Sequence, residues 1–142
     1  MSDAPIIVSL PISDRARSHR FYADAFGFQA PGPPSEDGVP EPLTLAINDG
    51  LQVMLIPTGG FGWVTGDHET AAPGTSETLL TIVVPDAAAV RTAFGRAVDA
   101  GARSVTDPSE RPWGYTALVA DPDQHLWALH AADSVRRKPE VS

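Results

Sequence analysis

The chain has no cysteine, so disulfides and thiolate metal centres are excluded, and any metal would have to be held by His, Asp or Glu. It also has no run of eighteen apolar residues, and "MSDAPIIVSLPISD" carries no basic region ahead of its short apolar stretch. A membrane span and a secretory leader are therefore not expected, and the reading is a cytoplasmic protein with no membrane partner. Basic residues are scarce: 10 Lys and Arg stand against 18 Asp and Glu. Three of the ten, Arg136, Arg137 and Lys138, lie in the tail, and the chain before them carries 7 basic and 17 acidic residues. Such a body repels phosphate backbones, so nucleic acid is not an expected partner. The plain reading of the charge is solubility; the functional one is attraction of cationic small ligands.

What is present suffices for a core, since 42% of 142 residues are hydrophobic. In "IIVSLPISDRARSHRFYADAFGF" an apolar strand is followed by Ser13 or Asp14 as a helix cap, then by Phe21, Tyr22, Ala25 and Phe26 at helical spacing, then by Gly27 as a stop. The same order recurs in "LLTIVVPDAAAVRTAFGRAVDAGA". There Asp86 is the cap, Val90, Ala93, Phe94, Ala97 and Val98 form the expected buried stripe, and Gly101 is the stop.

The two caps Asp14 and Asp86 lie 72 positions apart, and after the helices the offset becomes 74. At that offset "PSE" at 34–36 meets "PSE" at 108–110, and "INDGLQVMLI" lies over "DPDQHLWALH". Two copies of one unit follow. In each, a hairpin ("LTLAI" to "LQVMLI", "YTALVA" to "HLWALH") is preceded by a short extended piece, around Gln29 in one and at "RSVTD" in the other. The pattern is β-α-β-β-β, twice. The expected organisation is a first module at 1–58, a Gly/Pro/Thr-rich connection or lid at 59–76, a second module at 77–133 and a polar tail at 134–142. A second irregular stretch, "PGPPSEDGVPEP", has five prolines and reads as a semi-rigid surface loop.

With the duplication, "LPISDRARSHRFYADAFGF" and "GYTALVADPDQHLWALH" resemble the opening strand and helix and the closing hairpin of the vicinal oxygen chelate superfamily. That superfamily includes glyoxalase I, bleomycin-resistance proteins and extradiol dioxygenases. The resemblance implies an α+β fold in which two βαβββ modules form a cupped, mostly antiparallel eight-stranded sheet with helices outside. It also implies a homodimer, because members commonly pair modules between chains. Metal-dependent members bind a divalent ion inside the cup, at positions that map here to Ile7, Met54, Leu79 and Ala128. None of these four side chains suits a hard or borderline divalent cation. No metal and no other cofactor is therefore expected.

Strand alternation places Ile7, Ser9, Gln52, Met54 and Ile56 on one face, and Leu79, Thr81, Val83, Leu126, Ala128 and His130 on its counterpart. With Phe61 and Trp63 from the connection, and Trp113 and Tyr115 entering the closing hairpin, these are the candidate ligand contacts. The bland reading of the four aromatics is lid or interface packing. Trp127 has the opposite parity and is assigned to helix packing. His130 is the one inward imidazole and, with Glu77, the candidate for acid-base chemistry. His68 and Glu69 lie in the connection; His19 and His125 read as surface residues.

Three functions stay open. One is a metal-free protein holding a hydrophobic or aromatic ligand, cationic ligands included. The second is a glyoxalase-like lyase, isomerase or dioxygenase using relocated metal ligands, or His130 or Glu77 as the acid-base group. The third is a non-catalytic structural or regulatory subunit.

Overall fold

The computed structural model describes residues 5–133, and the expected polar tail lies outside them. Asp14 caps the first helix: its side chain accepts the Arg17 backbone N–H at 2.9 Å, leaving Ser13 outside the cap. The helix, α1 (Arg15–Phe26), follows β1 (Ile6–Ile12) and ends where Gly27 takes a left-handed φ of 72°. The Gly27 and Phe28 N–H groups then satisfy the Ala23 and Tyr22 carbonyls. Phe21, Tyr22 and Ala25 form its buried stripe. A short extended touch, Gln29 against Ala46, precedes the hairpin of β2 (Leu43–Asn48) and β3 (Leu51–Pro57).

α2 (Thr58–Val64) follows directly. Beyond the rest of the connection come β4 (Leu79–Val84), α3 (Ala87–Asp99), β5 (Arg103–Arg111), β6 (Gly114–Ala120) and β7 (Leu126–Ala131). Asp86 caps α3 by accepting the Ala89 N–H at 2.9 Å, and Gly101, at φ 116°, follows its end. Val90 and Ala97 are buried there, whereas Val98 is exposed. It lies about 100° round the helix from Ala97, off the edge of the apolar stripe.

The chain divides between Pro73 and Gly74 into two units. In the first, the strand order is β1-β3-β2, with β1 and β3 parallel. In the second it is β4-β7-β6-β5, with β4 and β7 parallel. The fold is α+β, as the resemblance implies, and the repeat reappears as register. Ile7 pairs with Gln52 and Leu79 with Leu126, so each strand partner is displaced by the same 72 or 74 positions seen in the sequence.

The strand count differs from the expected eight: seven strands form among the described residues, in two mixed sheets that do not close. Both units begin the outer ladder at the same place, Gln29 opposite Ala46 and Arg103 opposite Ala120. The second continues as the nine-residue β5. The first stops, because Pro31, Pro33 and Pro34 follow and a proline has no N–H to give a ladder.

Residues 31–42 instead form a loop gathered around Arg15. Its Nε donates to Asp37 Oδ2 at 2.8 Å, and its Nη2 donates to the Val39 and Pro40 carbonyls, both at 2.9 Å. Nη1 reaches Glu41 Oε1. The Arg15 hydrogen bond, then those from Ser35 and the Val39 N–H, hold the Asp37 carboxyl well below the usual carboxylate range. The Glu41–Pro42 peptide is cis.

Candidate functional site

Each sheet has one face covered by its own helix and one that is not. In the first unit Leu10, Ile12, Leu43, Leu45, Val53 and Leu55 are buried on the helix side. The opposite parity carries three rungs: Ile7–Gln52–Ala46, Ser9–Met54–Thr44 and Pro11–Ile56. Ile7, at 47% exposure, and Ser9 are open to solvent, whereas Gln52, Met54 and Ile56 are half-buried. This face combines five apolar residues, Ile7, Pro11, Ala46, Met54 and Ile56, with the uncharged polar groups Ser9, Gln52 and Thr44, and no ionisable residue stands on its rungs.

In the second unit Trp127, Leu129, Ala131, Ala117 and Val119 are buried on the α3 side. Trp127 is thus a packing residue, as its parity implied. The open face carries the rungs Leu79–Leu126–Ala120, Thr81–Ala128–Leu118 and Val83–His130–Thr116. Leu79 is 52% exposed, and Thr81 and Val83 are also exposed. Ala128 and Ala120 are small and buried, so the middle of this face is low. Thr116, which sequence reading passed over, donates its hydroxyl to the Leu129 carbonyl at 3.0 Å. Extending the alternation to β6 would have placed it beside His130.

One candidate sits differently from expectation, and two others are fixed by the strand register. Tyr115 is on the helix side, because Thr116 shares the open face with His130 and Tyr115 is its neighbour in the strand. Its ring lies 5.8 Å from the Arg91 guanidinium carbon, and its hydroxyl accepts from Arg91 Nη1 at 3.3 Å, both across to α3. Glu77 precedes Leu79 at one end of β4, while His130 pairs with Val83 at the other. Within β4, Leu79 and Val83 are four residues apart, about 13 Å, and Glu77 lies at the bend before Leu79, so Glu77 and His130 belong to opposite ends of the strand. Trp113 lies in the two-residue turn between Arg111 and Gly114 and is 66% exposed.

Phe61 and Trp63 stand on α2, where an irregular connection was expected. "TGGFGWV" reads as loop because each Gly in a helix interior costs about 1 kcal/mol relative to Ala. Tertiary contacts override that preference. The Thr58 hydroxyl donates to the Ile12 carbonyl at 3.0 Å, pinning the start of α2 to the end of β1. At Gly60 an added Cβ would lie 3.4 Å from Ile56 Cγ2, so the helix backbone passes close over an open-face side chain. Phe61 is half-buried; Trp63 is 82% exposed.

A model of the glyoxalase/bleomycin resistance protein/dioxygenase superfamily matches residues 6–129. The chain belongs to that superfamily. A glyoxalase-related enzyme from Fulvimarina pelagi is similar in structure, with 25% identity over 88% of this chain and 85% of that one and a TM-score of 0.73. A glyoxalase/bleomycin resistance protein/dioxygenase family enzyme from Burkholderia phytofirmans PsJN is 21% identical over 88% and 95%, with a TM-score of 0.69. A hypothetical protein from S. aureus is 21% identical over 89% and 92%, with a TM-score of 0.74. No curated protein matches the chain.

The resemblance maps the metal-ligand positions to Ile7 and Met54 in one unit and to Leu79 and Ala128 in the other. All four stand on the open faces just described. Hydrocarbon and thioether side chains do not fit a hard or borderline divalent ion. Among the described residues no three of His, Asp and Glu converge into an alternative set. Among them, too, no helix is long and apolar enough to cross a membrane.

Proposed function

We propose that this superfamily member is a metal-free small-molecule-binding protein that holds a hydrophobic or aromatic ligand on an open sheet face, acting as a cytoplasmic homodimer. The observation that carries the reading is the apolar character of Ile7, Met54, Leu79 and Ala128 at the positions where a catalytic metal would be gripped. The same rungs carry scattered polar handles, Ser9, Gln52 and Thr44 in the first unit and Thr81, His130 and Thr116 in the second, which is the composition of an organic-ligand surface. Exposed Ile7, Leu79 and Val83 are apolar area that a ligand would remove from water, at roughly 25 cal/mol per Å².

Catalysis through a Glu77–His130 couple is not favoured by their separation along β4. Native mass spectrometry of the purified protein, with elemental analysis, tests the proposal. A retained organic molecule and no stoichiometric metal is the expected result; one divalent ion per chain would refute the metal-free reading.

A further inference from the structure

Resting on that binding reading, we infer that the open face of the first sheet is a site for an uncharged planar molecule, and that α2 is the lid that closes on it. The ligand class follows from the rungs. Met54 occupies the middle, with Ser9 on one side and Thr44 on the other, and Gln52 next along the same strand. A polarizable thioether is a good seat for an aromatic ring, and two hydroxyls and an amide offer donors and acceptors to its edge. Nothing on these rungs neutralises a charge. An ionic ligand would shed water there without receiving a counter-charge, whereas a neutral one loses little.

The lid follows from how α2 is held. It is seven residues long, contains three glycines, has no side-chain cap and buries no residue. A segment of that kind belongs to the least stable part of a fold. Two of its attachments lie at its beginning, Thr58 to the Ile12 carbonyl and the close approach of Gly60 to Ile56, and exposure rises from half-buried Phe61 to Trp63. Trp63 is three residues beyond Gly60, hence on the same flank of the helix and one turn further on. The indole that the helix leaves almost wholly in solvent is therefore on the side of the open face. A flat ligand lying on Met54 would give that indole a partner, and stacking would order the helix.

The test uses three flat tricyclic probes of similar size: neutral 9-hydroxymethylanthracene, anionic anthracene-9-carboxylate and cationic N-methylacridinium. It is run in a Trp113→Phe background, so that the exposed-indole emission comes from Trp63. The neutral probe is expected to bind at least about tenfold more tightly than either ion, to quench Trp63, and to slow hydrogen exchange of the 61–64 amides about fivefold. Met54→Glu is expected to abolish neutral binding and favour the cation; Ser9→Asp, at an exposed position, gives a second reading should the first not fold.

Saturable binding with unchanged exchange in α2 overturns the lid alone. Equal affinity for all three probes overturns the ligand class alone. No saturable binding by any probe overturns the site together with the binding reading. In the free protein, protection of 61–64 as strong as that of β3 overturns the lid whatever binds. A dimer in analytical ultracentrifugation that loses probe binding as it forms would assign the face to a second copy and overturn the site.

Discussion

Arg15, in the first turn of α1, donates from Nε to Asp37 Oδ2 at 2.8 Å and thereby fixes a loop 22 positions away. Because the bond favours the ionised carboxylate, the folded-state pKa of Asp37 lies below its unfolded value of about 3.9. The stability it contributes is therefore complete above that pH and is lost as pH falls through the folded value. Asp37→Asn is expected to lower the urea midpoint at about pH 6, with a smaller difference from wild type at about pH 2.5. An equal difference at both would show that the carboxylate charge is not what holds the loop.

Trp127 is almost fully buried between β7 and the helix side of its sheet, and its neighbours Val119, Leu129 and Ala117 are fully buried too. Truncation to Ala leaves a large cavity that a close-packed layer refills only in part, so the cost is about 3–5 kcal/mol. Urea unfolding followed by circular dichroism should show that loss. A change below about 1 kcal/mol would mean that the site collapses freely and that the α3 layer is loosely packed.

Elements whose own residues dictate them were legible in the sequence. Asp14 and Asp86 cap helices because a short carboxylate reaches the N–H three residues on, and Gly27 stops one because glycine, with no Cβ, takes φ 72° more readily than other residues. The offsets of 72 and 74 survive as strand register because pairing and repetition are the same fact seen twice. That Ser9 shares a face with Ile7, and Thr81 with Leu79, followed from alternation, while the choice of that face as the inner one came from the resemblance. What was not legible depends on partners distant in sequence. α2 contradicts its glycines and is tied at its start to the carbonyl of Ile12, 46 positions earlier. Arg15 gave no local sign of its five acceptor residues, and Tyr115 was assigned by its company of aromatics when its parity placed it towards Arg91.

Because Tyr115 faces α3, Tyr115→Phe removes one exposed hydrogen bond and leaves the ring in place over Arg91. The expected cost is small, about 0.5 kcal/mol, with no change in affinity for a bound molecule. Comparing the denaturant midpoint with the binding isotherm of the same variant separates the two. A tenfold loss of affinity at unchanged stability would return Tyr115 to the ligand's side of the sheet.

His130 and Glu77 lie towards opposite ends of β4, with His130 set between Val83 and Thr116 on its rung. Side chains more than about 10 Å apart with no shared partner act additively, to within roughly 0.5 kcal/mol. The double variant His130→Ala, Glu77→Gln should therefore show the sum of the two single effects on ligand affinity, whatever those effects are. Isothermal titration with the molecule retained by the purified protein supplies the four affinities of the cycle. A coupling energy above about 1 kcal/mol would require the segment before Leu79 to fold back along the strand and bring the carboxylate to the imidazole. Only then would a shared proton be available between them, and the enzyme reading would displace the binding one.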